Sequence, residues 1–326
     1  MRAAWFERTG AARDVLTVGE LPSPTPAAGE VRVRLHSSGV NPSDVKVRAG
    51  RPMIAPRIVP HSDGAGVIDE VGPGVSKERL GQRVWIWNGQ WKRPFGTAAG
   101  QIALPQEQAV PLPENITFEE GACLGIPALT ALRALSTDGS VLGSTVLITG
   151  GAGAVGAYAI QLARLLGAAQ VISTVSSAEK ARIAEDCGAN HVINYRTEDV
   201  AQQVRELTDG KGADRIVEVD AAANVKSLPG IIARDGLYVV YGSGAADIPF
   251  AFGPMIAIGA AVRFFVVYEL VPSVRERTVG ALNSYLRAGV LKHAVAQTFN
   301  LDDIAAAHEA VESGTVVGNV VLRLGE

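Results

Sequence analysis

The stretch Val146–Ser177, VLITGGAGAVGAYAIQLARLLGAAQVISTVSS, decides the fold of this 326-residue chain. It opens as an apolar strand, turns on glycines, runs on as a helix and returns to a second strand. Gly151, Gly153 and Gly156 spell G-x-G-x-x-G, with Ala154 and Val155 between the last two. An early glycine permits the tight turn, the middle one lets the backbone approach a diphosphate, and the last lets helix pack on strand. The helix start adds free N–H groups and a positive dipole end, both suited to phosphate. In a chain with 36 glycines the triplet alone is a weak signal. Its setting strengthens it, because it follows an apolar run and opens a helix with Val155, Ala159, Leu162 and Leu166 on its apolar positions, stopping at Gly167.

Around this unit the pattern is regular. Strands are expected at 145–149, 170–175, 191–194, 215–219, 237–241 and 262–268, with helices between the first five, the rhythm of a doubly wound parallel sheet. Ser176 followed by Glu179 predicts a capping box, and Gly188 a helix end. Upstream, EVRVRLHSSG, GAGVIDEVG and GQRVWIWNG read as antiparallel strands bounded by turns, and TFEEGACLGIPALTALRAL reads as one helix. The tail predicts a helix at 274–288, a strand at 294–299, a helix at 302–312 and a closing strand in VVGNVVLRL that partners the N-terminal region.

Composition excludes several classes. Hydrophobic residues at 47% and charged residues at 19% describe a compact soluble protein, and the net charge of −3 has no basic stripe for nucleic acid or membrane. No apolar run reaches a membrane span, since PMIAIGAAVRFFVVYELVP is broken by Arg263 and Glu269. Two cysteines, Cys123 and Cys187, form neither a disulfide framework nor a four-cysteine zinc site, and the cytoplasm is the expected compartment.

The second strand ends on Ser176 and Ser177, where an acidic side chain would take the ribose hydroxyls of NAD. Two hydroxyls with Lys180 one turn later suit a 2′-phosphate, and Tyr195 and Arg196 after the third strand could cover it. The combination favours NADP(H), although Lys180 taken singly also reads as a solvated helix lysine.

The segments GIPALTALRAL, VLITGGAGAVGAYAIQLARLLGA, SSAEKARIAEDCGANHVINYRTED and AHEAVESGTVVGNVVL, with GVNPSD, VPHSDGAGVIDEVG and RPFGTAAGQIALP, resemble the zinc-free quinone oxidoreductases. These belong to the medium-chain dehydrogenase/reductase superfamily and include zeta-crystallin. The resemblance covers nearly the whole chain. It implies an α/β architecture in which a Rossmann doubly wound parallel sheet domain, residues 119–262, is inserted into a GroES-like mainly-β catalytic domain made of 1–118 and 263–326. It implies NADPH in the cleft between them, a small-molecule acceptor, and a homodimer or homotetramer in which VRFFVVY pairs across the subunit interface.

Zinc-dependent relatives place a cysteine where Asn41 stands and a histidine where Ser62 stands, so no metal is expected; His61, one residue earlier, has no second soft ligand. Without a metal, hydride delivery to an electron-poor acceptor, a quinone or conjugated enone, remains feasible. Asn41 is the candidate nearest the reacting atoms, holding the nicotinamide ribose or donating to a developing enolate; the alternative is a turn-forming Asn before Pro42. By resemblance Thr130, Gly242, Ser243 and the backbone of Phe264, Phe265 and Val266 line the nicotinamide pocket. Asn319 stands where relatives often carry lysine. Lys46 replaces a tyrosine that lines the acceptor pocket in relatives, and reads either as a substrate contact or as a solvated lysine. Trp85, Trp87, Trp91 and Phe95 give a flat ligand aromatic walls, with Asn88 or Gln90 to orient its oxygens, or else Trp85 and Trp87 fill the core. No Tyr-x-x-x-Lys and no Gly-x-Ser-x-Gly occurs, which argues against short-chain dehydrogenases and serine hydrolases. Three activities follow as candidates: quinone reduction, reduction of an activated C=C bond, and NADPH binding without turnover.

Overall fold

The computed structural model describes residues 1–324. Two compact units divide the chain: Met1–Ile126 with Asn283–Glu326, and Pro127–Leu282. These limits fall at 126/127 and 282/283, against the expected 118/119 and 262/263.

The second unit holds a six-stranded parallel sheet. Its strands are β1 (Thr145–Ile148), β2 (Gln170–Val175), β3 (His191–Asn194), β4 (Ala213–Glu218), β5 (Ile232–Val240) and β6 (Ala261–Phe264). They lie in the order β3-β2-β1-β4-β5-β6, so the direction of winding reverses between β1 and β4. Ligands of such sheets bind at the carboxyl ends of the strands, at this reversal. Helices α1 (Ala154–Leu165), α2 (Ala178–Asp186) and α3 (Val200–Leu207) link the first four strands. Leu147, Ile172, Ile193, Ile216 and Tyr238 form one buried cluster with Val204 of α3. Burying apolar side chains of this size contributes about 1.5–3 kcal/mol each.

Three local readings are corrected. The cap of α2 is Ser177, not Ser176: its backbone is extended and its Oγ accepts the Lys180 N–H at 3.2 Å. Gly188 does close that helix, at φ +103°. The stretch expected as one helix is broken into Phe118–Gly121, a π-helical turn Leu124–Ala128 and the helix Leu129–Ser136. Pro127 sits inside that turn and has no N–H to continue the α-helical ladder. Finally, β6 stops at Phe264 rather than Tyr268, because β5, its only partner among the described residues, ends at Val240 opposite Phe264.

The first unit is mainly β. A seven-stranded sheet runs Val295–Asn300, Asn319–Arg323, Glu30–Val40, Asp63–Val71, Arg83–Ile86 and Ala109–Pro111, with Gln101–Pro105 also paired to Glu30–Val40. The closing strand pairs antiparallel with Glu30–Val40, Val320 opposite Val40, so both chain ends build this unit. Helices Pro42–Gly50 and Ile304–Glu312 belong to it.

Candidate cofactor and active site

In the second unit, the glycine loop leaves β1 as the spacing predicts. Gly153 is the N-cap of α1, and no side chain caps it. The first N–H groups of a helix have no intrahelical partner, so those of Ala154, Val155 and Gly156 face outward as donors. Gly156 is dictated by packing: a Cβ there would lie 2.2 Å from the Gly150 carbonyl oxygen and 2.7 Å from the Gly151 Cα. Ser176, Ser177 and Lys180 are half-buried at the end of β2, with Tyr195 exposed after β3. The Ser177 Oγ spends a lone pair on the Lys180 N–H and keeps its own proton to donate. An uncapped helix start, two hydroxyls and a lysine, with no carboxylate ending the strand, fit an anionic dinucleotide bearing a 2′-phosphate.

At the far side of the same sheet, Gly242 and Ser243 follow β5. A Cβ on Gly242 would meet the Val219 carbonyl at 2.2 Å, and the Ser243 Oγ donates to the Ala245 carbonyl at 2.7 Å. Phe264 and Val266 are exposed at the sheet edge, and Phe265 is half-buried. Thr130 is buried in the helix Leu129–Ser136.

In the first unit, Asn41 serves as both cap and contact. It is the buried N-cap of Pro42–Gly50, and its backbone N–H donates to the Asp44 carboxylate at 2.8 Å in a capping box. Its Nδ2 donates to Asp63 Oδ2 at 3.0 Å, and that oxygen also takes the Ile126 N–H at 2.9 Å. The turn-forming role is therefore real, and the amide is held by Asp63 and by Asp44. Burial lifts the Asp44 carboxyl to about 7 against its hydrogen bonds from Asn41.

Behind Asn41 lies a hydrogen-bond chain that sequence reasoning missed. His308 Nε2 and His61 Nε2 are 2.9 Å apart, His61 Nδ1 and Ser38 Oγ 2.9 Å, and Ser38 Oγ and Thr97 Oγ1 2.8 Å. Thr97 Oγ1 donates to the Asp63 carbonyl. A carbonyl only accepts, so every proton in the row is assigned: Thr97 must receive from Ser38, Ser38 from His61 Nδ1, and His61 Nε2 from His308 Nε2. Both rings are fully buried, with His61 at φ +76°. Burial, together with Arg48, holds His308 down to about 3, and burial with His308 keeps His61 well below its usual range. Because both His61 nitrogens are engaged, it offers no metal a lone pair. Among the described residues no three His, Cys, Asp or Glu side chains could hold a metal ion.

The remaining candidates separate. Lys46 is exposed on its helix. Trp85 is core, fully buried with its Nε1 donating to Asn283 Oδ1 at 3.0 Å. Trp87 and Trp91 are half-buried and Phe95 is exposed. Asn88 is buried at φ +55°, and Gln90 donates within its own loop to the Arg93 carbonyl. Asn319 is buried and its Nδ2 holds the Ala294 carbonyl at 3.1 Å, so its amide already serves the sheet.

Comparison with known proteins adds the following. Residues 27–114 match the alcohol dehydrogenase GroES-like domain, and 154–283 match the family described as zinc-binding dehydrogenase. A 2-haloacrylate reductase of a Burkholderia species is 33% identical over 313 residues, 91% of this chain and 92% of that protein. A quinone oxidoreductase of Pseudomonas aeruginosa is 31% identical over 95% of both chains. The Escherichia coli quinone oxidoreductase, solved in complex with NADPH, superposes with a TM-score of 0.87 at 28% identity, covering 99% of this chain and all of that one.

Proposed function

This chain belongs to the zinc-free quinone oxidoreductase family of the medium-chain dehydrogenase/reductase superfamily, and on that footing we propose that it passes hydride from NADPH to a quinone or related conjugated carbonyl. It is an oxidoreductase with NADPH as its cofactor. The observation that carries the cofactor assignment to residues is the uncapped glycine-loop helix beside a β2 terminus of two hydroxyls and a lysine. In this reading Gly151, Gly153, Ala154, Val155 and Gly156 hold the diphosphate through backbone N–H groups. Ser176, Ser177, Lys180 and Tyr195 hold the 2′-phosphate, while Thr130, Gly242, Ser243 and Phe264–Val266 line the nicotinamide end.

Bound NADPH supplies the hydride. Asn41 presents its amide to a ribose hydroxyl or to the acceptor oxygen where charge develops, and Asp63 fixes the amide's orientation. Trp87, Trp91 and Lys46 are proposed for the acceptor side, and Asn319 for the cofactor side through its backbone. We place the protein in the cytoplasm, where its two free cysteines stay reduced; no described helix is long and apolar enough to cross a membrane. We also propose a homodimer or homotetramer built on β6, an edge strand whose Phe264 is 55% exposed.

A second reading, reduction of an activated C=C bond, is favoured by the 33% identity to a 2-haloacrylate reductase. NADPH oxidation against paired quinones, enones and 2-haloacrylates, with chelator present, tests both. Turnover of quinones supports the first reading, and turnover of enones or acrylates alone replaces it with the second. Tight NADPH binding with no turnover on either would leave a binding protein.

A further inference from the structure

The Glu218 carboxylate is fully buried, lies outside every candidate set above, and sits at the point where the sheet reverses. It ends β4, the strand flanked by β1 on one side and β5 on the other. One oxygen, Oε1, gathers three donors: the Thr149 hydroxyl at 3.0 Å, the Asp220 N–H at 2.6 Å and the Asn224 Nδ2 at 2.8 Å. Hydrogen bonds to an ionised acceptor are roughly twice as strong as neutral ones, and burial strengthens them further.

Two of these donors lead to different loops. Thr149 is the residue from which the glycine loop departs, and its Oγ1 also accepts the Val219 N–H at 3.0 Å. Asp220 carries the connection the other way, its Oδ1 accepting the Gly244 N–H at 2.8 Å in the segment after β5. The Glu218 carbonyl takes the Tyr241 N–H at 3.1 Å, and the Ala221 N–H donates to the Gly242 carbonyl at 3.1 Å. Two loops from strands that are not neighbours are thus tied to one side chain on the strand between them.

We propose that Glu218 is a positioning residue that sets the spacing between the diphosphate-binding loop and the Gly242–Ala245 loop, so that one extended dinucleotide can engage both. The inference rests on the cofactor reading above. Its consequence is specific: a ligand touching only one loop is indifferent to the spacing, whereas a ligand spanning both depends on it.

The test measures dissociation constants by calorimetry for NADPH and for adenosine 2′,5′-bisphosphate, which reaches the glycine-loop side only. Glu218→Ala is expected to weaken NADPH about tenfold or more while the bisphosphate stays within about twofold. Glu218→Gln keeps an acceptor oxygen and is expected to restore NADPH binding to within about threefold of wild type. Asp220→Ala cuts the second link without touching the buried carboxylate, and should reproduce the same selective loss if Glu218→Ala does not fold. Equal weakening of both ligands would reduce Glu218 to a general stabiliser, and unchanged NADPH affinity in Asp220→Ala and Glu218→Ala would end the proposal. A wild-type protein that binds neither ligand would overturn the cofactor reading itself, and this inference with it.

Discussion

Replacing His308 by Gln should remove one proton from the pH dependence of stability in the first unit. His308 is neutral in the folded protein, held to about 3 by burial and by Arg48. In the unfolded chain its imidazole takes a proton below about pH 6.5. Its contribution is therefore fully present above that value and is lost as the pH falls toward about 3. The slope is about 1.4 kcal/mol per pH unit for each proton taken up on unfolding. Between pH 6.5 and 5 the wild type thus loses about 2 kcal/mol that His308→Gln does not lose. Gln can still donate to His61 Nε2, so the row of hydrogen bonds survives the change. Asp44 acts with the opposite sign. Its folded-state value is raised to about 7, so its contribution is present at low pH and is lost as the pH rises through 7. Asp44→Asn should accordingly gain on the wild type as the pH rises from about 4 to about 7, and keep that gain above it. Urea unfolding read by tryptophan fluorescence isolates these effects, because Trp5, Trp85, Trp87 and Trp91, all four tryptophans, lie in the unit that carries His308 and Asp44. Parallel stability–pH curves for His308→Gln and wild type would refute the assignment of a neutral, buried pair.

Three further outcomes are expected. Gly156→Ala drives a methyl into the Gly150 carbonyl and should cost the second unit about 1–3 kcal/mol by circular dichroism while impairing NADPH binding; wild-type values for both would contradict the packing argument. Ser176→Asp should weaken NADPH by roughly a hundredfold and leave NADH within about threefold, since like charges face each other across the 2′-phosphate; an unmoved preference would show that Ser176 does not face it. Phe264→Asp should shift the assembly toward monomer in light scattering, and a wild-type protein already monomeric at micromolar concentration would remove β6 as an interface.

The parallel sheet was legible because its signal is local. Gln170–Val175 and His191–Asn194 are short segments built around β-branched residues and bounded by turn residues, and both form as read. What escaped depends on backbone dihedrals or on distant partners. Ser176 and Ser177 are chemically equal as caps, and only the extended backbone at Ser177 decides between them. Arg215 lies buried in a strand because its guanidinium holds the Ala134 and Leu135 carbonyls at the end of a helix 80 residues upstream. His61 carries meaning only beside His308, 247 residues away. In the candidate site, the glycine loop was readable from its spacing together with the apolar run before it and the helix pattern after it. The grip of Asp63 on Asn41 and the three-way hold of Glu218 were not, since each joins residues that no sequence window contains together.

The row from His308 to Asp63 also has an electrical property. A proton wire works by handing a proton in at one end and releasing another at the far end. Here the far end is a peptide carbonyl, which has no proton to release. The five groups can therefore be polarised but cannot conduct: the row is an insulator, wired in one direction. The proton that completes reduction of the acceptor must come from solvent or from the acceptor's own surroundings, and its supply should be untouched by substitutions along this row.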